Sequence, residues 1–332
     1  MNNAPLLQLQ NLSKVFTPPQ DFTDRLLTRI GLSQPARSLH AVSEVNLEIN
    51  KGQVVGIVGE SGCGKSTLAR LIAQLLTPSS GQVSFQGQDR AQMSAQQQRQ
   101  VQLAVQMIFQ NPYASLNPRR RVADIIMEAP LVHGLVSKQE APARLEQLLQ
   151  MVGLDMGIRH RFPHQFSGGQ RQRIGIARAL AVNPELIICD ESVAALDVSI
   201  QAQVLNLLME LRQQRQLTYL FISHDLGVVE HLCDEVVIMY LGRIVEQAPV
   251  ETLFSRPLHP YTQALLNAIP QISLGKKHYQ PIQGEIPSPL NPPAGCPFHP
   301  RCPQAMPECS QKRPPLRTLS SGQRIACHLI EA

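Results

Sequence analysis

The run Gly59-Glu60-Ser61-Gly62-Cys63-Gly64-Lys65-Ser66-Thr67 constrains this chain more than any other stretch. It follows the apolar segment Val54 to Val58 and precedes a helical segment, Thr67 to Leu76, so a strand has to turn sharply into a helix around it. In that setting successive backbone N–H groups curl around phosphate oxygens at a helix N-terminus. Glycines are needed there because a side chain on the inner wall would hold the backbone away from the anion. Lys65 then supplies a point charge for the β- and γ-phosphates of a nucleotide, and Ser66 a hydroxyl for magnesium. About a hundred residues downstream stands Ser167-Gly168-Gly169-Gln170, a second small-residue opening of a helix and a second cap for an anion.

The surrounding sequence alternates between strand and helix patterns. Leu7, Leu9 and Leu12, and again Val42, Val45, Leu47 and Ile49, recur at the spacing of half-buried antiparallel strands. Between them, Thr17 to Leu39 is rich in Pro, Gln and Arg and predicts a surface insertion with one short helix around Phe22 to Ile30. A β pair near Gln82 to Phe85 and a strand Leu103 to Phe109 follow, the latter ending in Gln110. From Asn111 to Gln165 the pattern is helical, with a capping-box match at Ser137 and Glu140 ahead of Leu145, Leu148 and Met151. A further helix, Gln170 to Val182, completes a helical subdomain over about 111–182. Leu186 to Cys189 reads as a buried parallel strand, then helix Ile200 to Arg212 and strand Tyr219 to Ser223, with the alternation continuing to about Gln247. The sheet is thus mixed at first and parallel later.

The parallel strand Leu186 to Cys189 delivers Asp190 and Glu191 at its C-terminal end, where open α/β sheets place ligands. Asp190 is expected to hold magnesium through a water, and Glu191 to polarise the attacking water for in-line phosphoryl transfer. Gln110, at the end of its own strand, would reach the metal and that water; His224, after another strand, would contact the γ-phosphate. Alone, such a Gln or His is ordinary loop chemistry, and it is their place in the series that gives them meaning.

Taken in order, these residues resemble an ATP-binding cassette ATPase. They match its Walker A (Gly59 to Thr67), Q-loop (Gln110), signature (Ser167 to Gln170), Walker B (Leu186 to Glu191), D-loop (Ala194 to Asp197) and H-loop (His224), within about Leu7 to Gln247. The resemblance implies an α/β fold of the ABC nucleotide-binding type: a RecA-like mixed-sheet core with an antiparallel β subdomain and an inserted helical subdomain. It implies ATP and Mg2+ as cofactors, with nucleotide contacts from Gly59, Ser61, Gly62, Cys63, Gly64, Lys65, Ser66, Thr67, Gln110 and Asp190. Phe16 takes the place of the aromatic that stacks on adenine. Magnesium falls to Ser66, Gln110 and Asp190, and catalysis to Glu191, His224, Gln110 and Lys65. Two such domains pair head to tail, so that Ser167, Gly168, Gly169 and Gln170 act on the partner's ATP. Two departures stand out. Ser192 replaces a usual Pro, which restores an N–H and loosens the turn that aims Glu191. Ala194 replaces a usual Ser and removes a hydroxyl from the dimer contact, so slower hydrolysis is expected.

Composition shifts after Arg256, dividing the chain into an ATPase domain, 1–255, and a C-terminal region, 256–332. The latter is proline-rich, has one good helix at Tyr261 to Ala268, and holds four of the seven cysteines: Cys296, Cys302, Cys309 and Cys327. It is too poor in apolar residues to order itself without a staple, and its cysteines, none of which belongs to the ATPase motifs, are expected to lie far from the phosphates. In a cytoplasmic chain such crowding favours metal over disulfide; the spacing lacks the tight pairs usual for zinc, and reduced structural thiols are the plainer alternative. His259-Pro260-Tyr261-Thr262, Ser288-Pro289-Leu290-Asn291-Pro292-Pro293 and the cysteine set resemble the ATPase subunits of oligopeptide and dipeptide importers, nearer the dipeptide-type F subunit. Asn111 to Pro118 fits the same group, in a position that would face the coupling helices of membrane subunits. This resemblance favours a 4Fe-4S cluster on the four cysteines. It also implies a heterodimer with a paralogous ATPase, two transmembrane permease subunits, and a periplasmic or extracellular substrate-binding protein acting indirectly.

The remaining composition narrows the class. No apolar run approaches the roughly 18 to 20 residues of a membrane span, and Met1 to Leu7 has no signal-peptide pattern. The chain is therefore expected to stay in the cytoplasm, and the importer resemblance implies the cytoplasmic face of the inner membrane, as a peripheral protein. Its net charge of +5 is spread without a basic block, which argues against nucleic acid as a partner. The rival reading is a non-transport cassette ATPase acting on nucleic acid or ribosomes; such proteins usually carry two cassettes or a long coiled coil, and this chain has neither. A P-loop kinase would have no use for Ser167 to Gln170. Dipeptides, longer peptides, metal chelates and cationic antimicrobial peptides all remain candidate cargoes, because cargo contacts lie on other subunits. Finally, Cys63, beside a helix N-terminus and Lys65, is expected to favour the thiolate.

Overall fold

Val54–Val58 forms strand β3 at the centre of an eight-stranded sheet, with every residue buried. Val55 and Ile57 face one apolar cluster while Val54 and Val58 face another. The strand is therefore covered on both faces, which is why its sequence is apolar throughout rather than alternating. A computed structural model describes residues 4–17, 38–111, 115–193, 196–268 and 284–330 of the protein. The short helix expected around Phe22 to Ile30, together with Ala194 and residues 112–114, lies outside these.

The strands are β1 (Leu7–Phe16), β2 (Leu39–Ile49), β3, β4 (Ser80–Phe85), β5 (Gln88–Asp89), β6 (Val105–Ile108), β7 (Leu186–Asp190), β8 (Thr218–Ile222), β9 (Glu235–Tyr240), β10 (Arg243–Pro249), β11 (Arg317–Thr318) and β12 (Arg324–Ile325). One antiparallel sheet runs β2-β1-β4-β5, with Leu7, Leu9 and Leu12 on its buried face. The larger sheet runs β11-β12-β10-β9-β3-β8-β7-β6, parallel from β9 to β6 and antiparallel beyond. This is the expected fold class: a mixed α/β core, an antiparallel subdomain, and helices Val122–Val132, Ala141–Met151 and Gly168–Leu180 inserted between β6 and β7. The Ser137–Glu140 box forms reciprocally, at 3.0 and 3.2 Å, one turn ahead of the helix that begins at Ala141. The helix after β3 is Lys65–Ile72, shorter than expected, because the chain leaves helical geometry at Ala73 and Gln74 turns to φ +59°.

The C-terminal region departs most from expectation. Its apolar residues are few, but they pack onto the body instead of on each other. β12 extends the main sheet by pairing Ile325 with Glu246. Phe298 and Tyr261 are fully buried and meet Tyr240 of β9 edge to face, with ring centroids 5.3 and 4.7 Å away. Burial of one such aromatic is worth roughly 1.5–3 kcal/mol, so the described part of this region is anchored on the body of the protein. Glu246 accepts the N–H groups of Leu258 and His259 at 2.9 and 3.0 Å, and His259 Nδ1 accepts the N–H of Tyr261. The His259-Pro260-Tyr261-Thr262 stretch is thereby a corner that turns helix Pro260–Asn267 toward the phosphate loop.

Candidate active site

The loop 59–64 joins β3 to helix Lys65–Ile72 in a conformation that two of its glycines make possible. A Cβ on Gly59 would lie 2.2 Å from the carbonyl oxygen of Met239, and one on Gly64, at φ +105°, 2.2 Å from that of Ala41. Lys65 is 5% exposed. Its ammonium donates back into its own loop, to the carbonyls of Gly59 at 2.7 Å and Glu60 at 3.1 Å. Ser61 and Gly62 are exposed at the turn, while Ser66 and Thr67 sit half-buried on the first turn of the helix.

Strand ends bring the remaining groups to this loop. Ser66 Oγ donates to Asp190 Oδ1 at 3.0 Å, and burial raises the Asp190 carboxyl above its ordinary range, partly offset by that hydrogen bond. Gln110, just past β6, donates from Nε2 to Glu191 Oε2 at 2.6 Å. His224, just past β8, places Nδ1 3.7 Å from Glu191 Oε1. Glu191 adopts φ +46°, and its N–H donates to Ile222 at 3.0 Å, so the turn after β7 is tied to β8. Residues from positions 66, 110, 190, 191 and 224 thus meet at the C-terminal ends of β3, β6, β7 and β8, as expected for an open α/β sheet. Ser66, Asp190 and the Gln110 amide oxygen form a hard-oxygen donor set that fits magnesium.

Other expected residues stand as follows. Ser167 caps helix Gly168–Leu180, accepting the Gln170 N–H at 3.3 Å while Gln170 Oε1 accepts the Ser167 N–H at 3.1 Å. Gly169 is closed against Ile200, whose Cγ2 would lie 2.5 Å from an added Cβ. Phe16 ends β1 with its ring 37% exposed and Lys14 Nζ 5.2 Å over the ring centroid. Ser192 is buried behind the Glu191 turn.

Cys63 is a correction. Its side chain points into the core between Gly59 and the start of the helix, 3% exposed, and desolvation raises its pKa despite the nearby Lys65. It is a thiol held away from nucleotide; only its backbone belongs to the loop. Maleimide is therefore expected to label it slowly and equally with or without magnesium-ATP. Rapid labelling blocked by nucleotide would restore the thiolate reading.

The four C-terminal cysteines share one neighbourhood. Cys296 lies close enough to Cys309, Cys327 and Cys302 to feel each of them, and burial pushes its pKa up to about 11. The Cys296 N–H donates to the Cys309 carbonyl at 2.8 Å. Soft thiols suit iron or zinc, yet among the described residues no three Cys, His, Asp or Glu side chains converge on one metal position. The arrangement does not by itself form a coordination sphere. Other residues of this region do reach the phosphate loop: Arg301, beside Cys302, grips Glu60 of that loop, and Tyr261 accepts that residue's N–H. Glu60 and Tyr261 stand in motifs that the sequence shows, but their contact, and the part of Arg301, are invisible there, since nothing in a spacing of more than two hundred residues marks the three as neighbours.

Residues 42–194 match the ABC transporter family, and the solved dimeric, post-hydrolysis state of the ATP-binding cassette MJ0796 bound to ADP and Pi aligns with a TM-score of 0.61. That alignment has 27% identity and covers 74% of this chain and 98% of that one. The chain is an ATP-binding cassette ATPase. Residues 245–309 match the oligopeptide/dipeptide transporter C-terminal region. The oligopeptide transport ATP-binding protein AppF of Bacillus subtilis is 47% identical over 99% of this chain and 98% of its own length. The dipeptide transport ATP-binding protein DppF of Escherichia coli is 44% identical over 98% and 95%. The chain belongs to this oligopeptide and dipeptide branch of the family.

Proposed function

We propose that the protein is the energy-coupling ATPase subunit of a bacterial inner-membrane importer of di- and oligopeptides. What supports this reading above all is the meeting of Gln110, His224 and Glu191 beside the Ser66–Asp190 pair at the mouth of a phosphate loop. In it, the loop's N–H groups and Lys65 bind the phosphates, Glu191 takes the proton of the attacking water, and Gln110 and His224 orient that carboxylate. Ser66, Asp190 and Gln110 would hold magnesium, which neutralises phosphate charge when bound. Ser167, Gly168, Gly169 and Gln170 close over ATP held by a second cassette, and loss of the γ-phosphate releases the pair.

The finer proposals follow the family branch. The second cassette is a paralogous ATPase, two permease subunits carry the pathway, a substrate-binding protein delivers cargo, and the subunit works at the cytoplasmic face as a peripheral protein. The boundary near residue 255 and the adenine-stacking role of Phe16 belong with these. A 4Fe-4S cluster on the four cysteines is proposed from the importer resemblance and not from their geometry. Among the described residues no helix is long and apolar enough to cross a membrane. One preparation tests this reading: the complex purified anaerobically from native membranes, with its subunits and metals identified. The chain alone should bind ATP but turn it over slowly, and the permeases plus the paralogous ATPase should raise the rate. Full activity as a monomer, or stimulation by RNA or ribosomes, would reject it, and stoichiometric zinc would reject iron.

A further inference from the structure

Glu60 is gripped at each of its polar groups. Its carbonyl accepts from the Lys65 ammonium at 3.1 Å and the Cys63 N–H at 3.2 Å. Its own N–H donates to the Tyr261 hydroxyl at 2.8 Å. Its carboxylate receives both arms of the Arg301 guanidinium, Nη1 to Oε2 at 2.6 Å and Nη2 to Oε1 at 3.0 Å. Two of these grips come from the C-terminal region, and both are built rather than incidental. The Arg301 side chain is 4% exposed and its partner's 22%, and Nη1 lies 3.3 Å from the Tyr240 hydroxyl. Tyr240, Tyr261 and Phe298 pack against one another beside it. A bidentate, desolvated pair fixes orientation as well as distance.

We propose that Arg301 and Tyr261 are positioning residues of the ATP site, through which the C-terminal region sets nucleotide affinity. Deepening the reading of residues 59–67 as a phosphate loop, the proposal rests on that reading. The chemistry has two parts. Lys65 has to exchange the Gly59 and Glu60 carbonyls for phosphate oxygens, and it can do so without rebuilding the loop only if Glu60 stays in place. In addition, an unpaired carboxylate at the second position of the loop would repel the incoming polyphosphate and compete for Lys65. Arg301 removes both hazards, and Tyr261 fixes the backbone between Gly59 and Ser61.

The test uses the full chain in its assembled complex. Arg301→Gln should raise KM for magnesium-ATP about tenfold while leaving kcat at saturation within about twofold, the pattern of lost uniform binding. Because the loose carboxylate causes much of the loss, adding Glu60→Gln should bring KM back to within about threefold of wild type. Tyr261→Phe, which keeps the aromatic packing, should raise KM about threefold and speed hydrogen exchange at the Glu60 amide. Wild-type KM in folded Arg301→Gln and Tyr261→Phe would overturn the proposal. So would a fall in thermal stability with no rescue by Glu60→Gln, which would mark Arg301 as structural only. Lys65→Ala tests the phosphate loop itself, so its failure is distinguishable from failure of this coupling.

Discussion

Replacement of Glu191 by Gln should lower ATP hydrolysis in the assembled complex by about a hundred- to a thousandfold while leaving ATP bound, since a positioned general base contributes of that order. The geometry makes the variant clean. Glu191 Oε2 already accepts from Gln110 at 2.6 Å, and an amide oxygen preserves that bond. The φ of +46° and the N–H bond to Ile222 at 3.0 Å are backbone features the change does not touch. What is lost is the ability to take a proton, together with the negative charge that faces His224 Nδ1 at 3.7 Å. The two cassettes should then accumulate in an ATP-bound closed pair, visible as a stable dimer with unhydrolysed nucleotide. Wild-type phosphate release from Glu191→Gln would show that another group handles the water.

Lys65→Ala should act earlier in the cycle. A charge-assisted hydrogen bond is worth about 1.5–3 kcal/mol, which at 1.4 kcal/mol per decade is about ten- to a hundredfold in nucleotide affinity. Turnover should fall as well, because the same charge serves ground and transition states. Alanine is the best helix former, so the N-terminus of helix Lys65–Ile72 should survive the change. Equilibrium binding of radiolabelled ATP separates the two variants: Glu191→Gln retains it and Lys65→Ala loses it. Undiminished binding in Lys65→Ala would remove this residue from the phosphates.

Local pattern carried most of the fold. Val54–Val58 is a strand end to end because a strand buried on both faces has no room for polar residues, and its apolar run is visible in the sequence. The expected groups past β6, β7 and β8 also meet, since strand ends converge wherever parallel strands are neighbours. Spacing along the chain, however, says which residues belong to a loop and not where each side chain points. Cys63 shows this, with its backbone in the phosphate loop and its sulfur in the core. The packing of the C-terminal region is hidden for a related reason: its apolar residues are few, and Phe298 and Tyr261 are completed by Tyr240, and Arg301 by Glu60, all distant in sequence.

The order of the large sheet also dictates when the site can exist during synthesis. Strand β3 emerges early, but its neighbours are β8 and β9, with Val55 opposite Leu220 and Glu235. Pairings so distant in sequence form slowly and leave apolar strands waiting. The central strand and the loop it carries must therefore be shielded while more than half of the chain is still being made. Tyr261 and Arg301 come later still in the chain, as does Ile325, with which β12 covers the edge of β10. A chain stopped before Tyr261 and Arg301 would carry its phosphate loop without the two contacts that hold Glu60, so nucleotide binding is expected to mature only after both residues have been made.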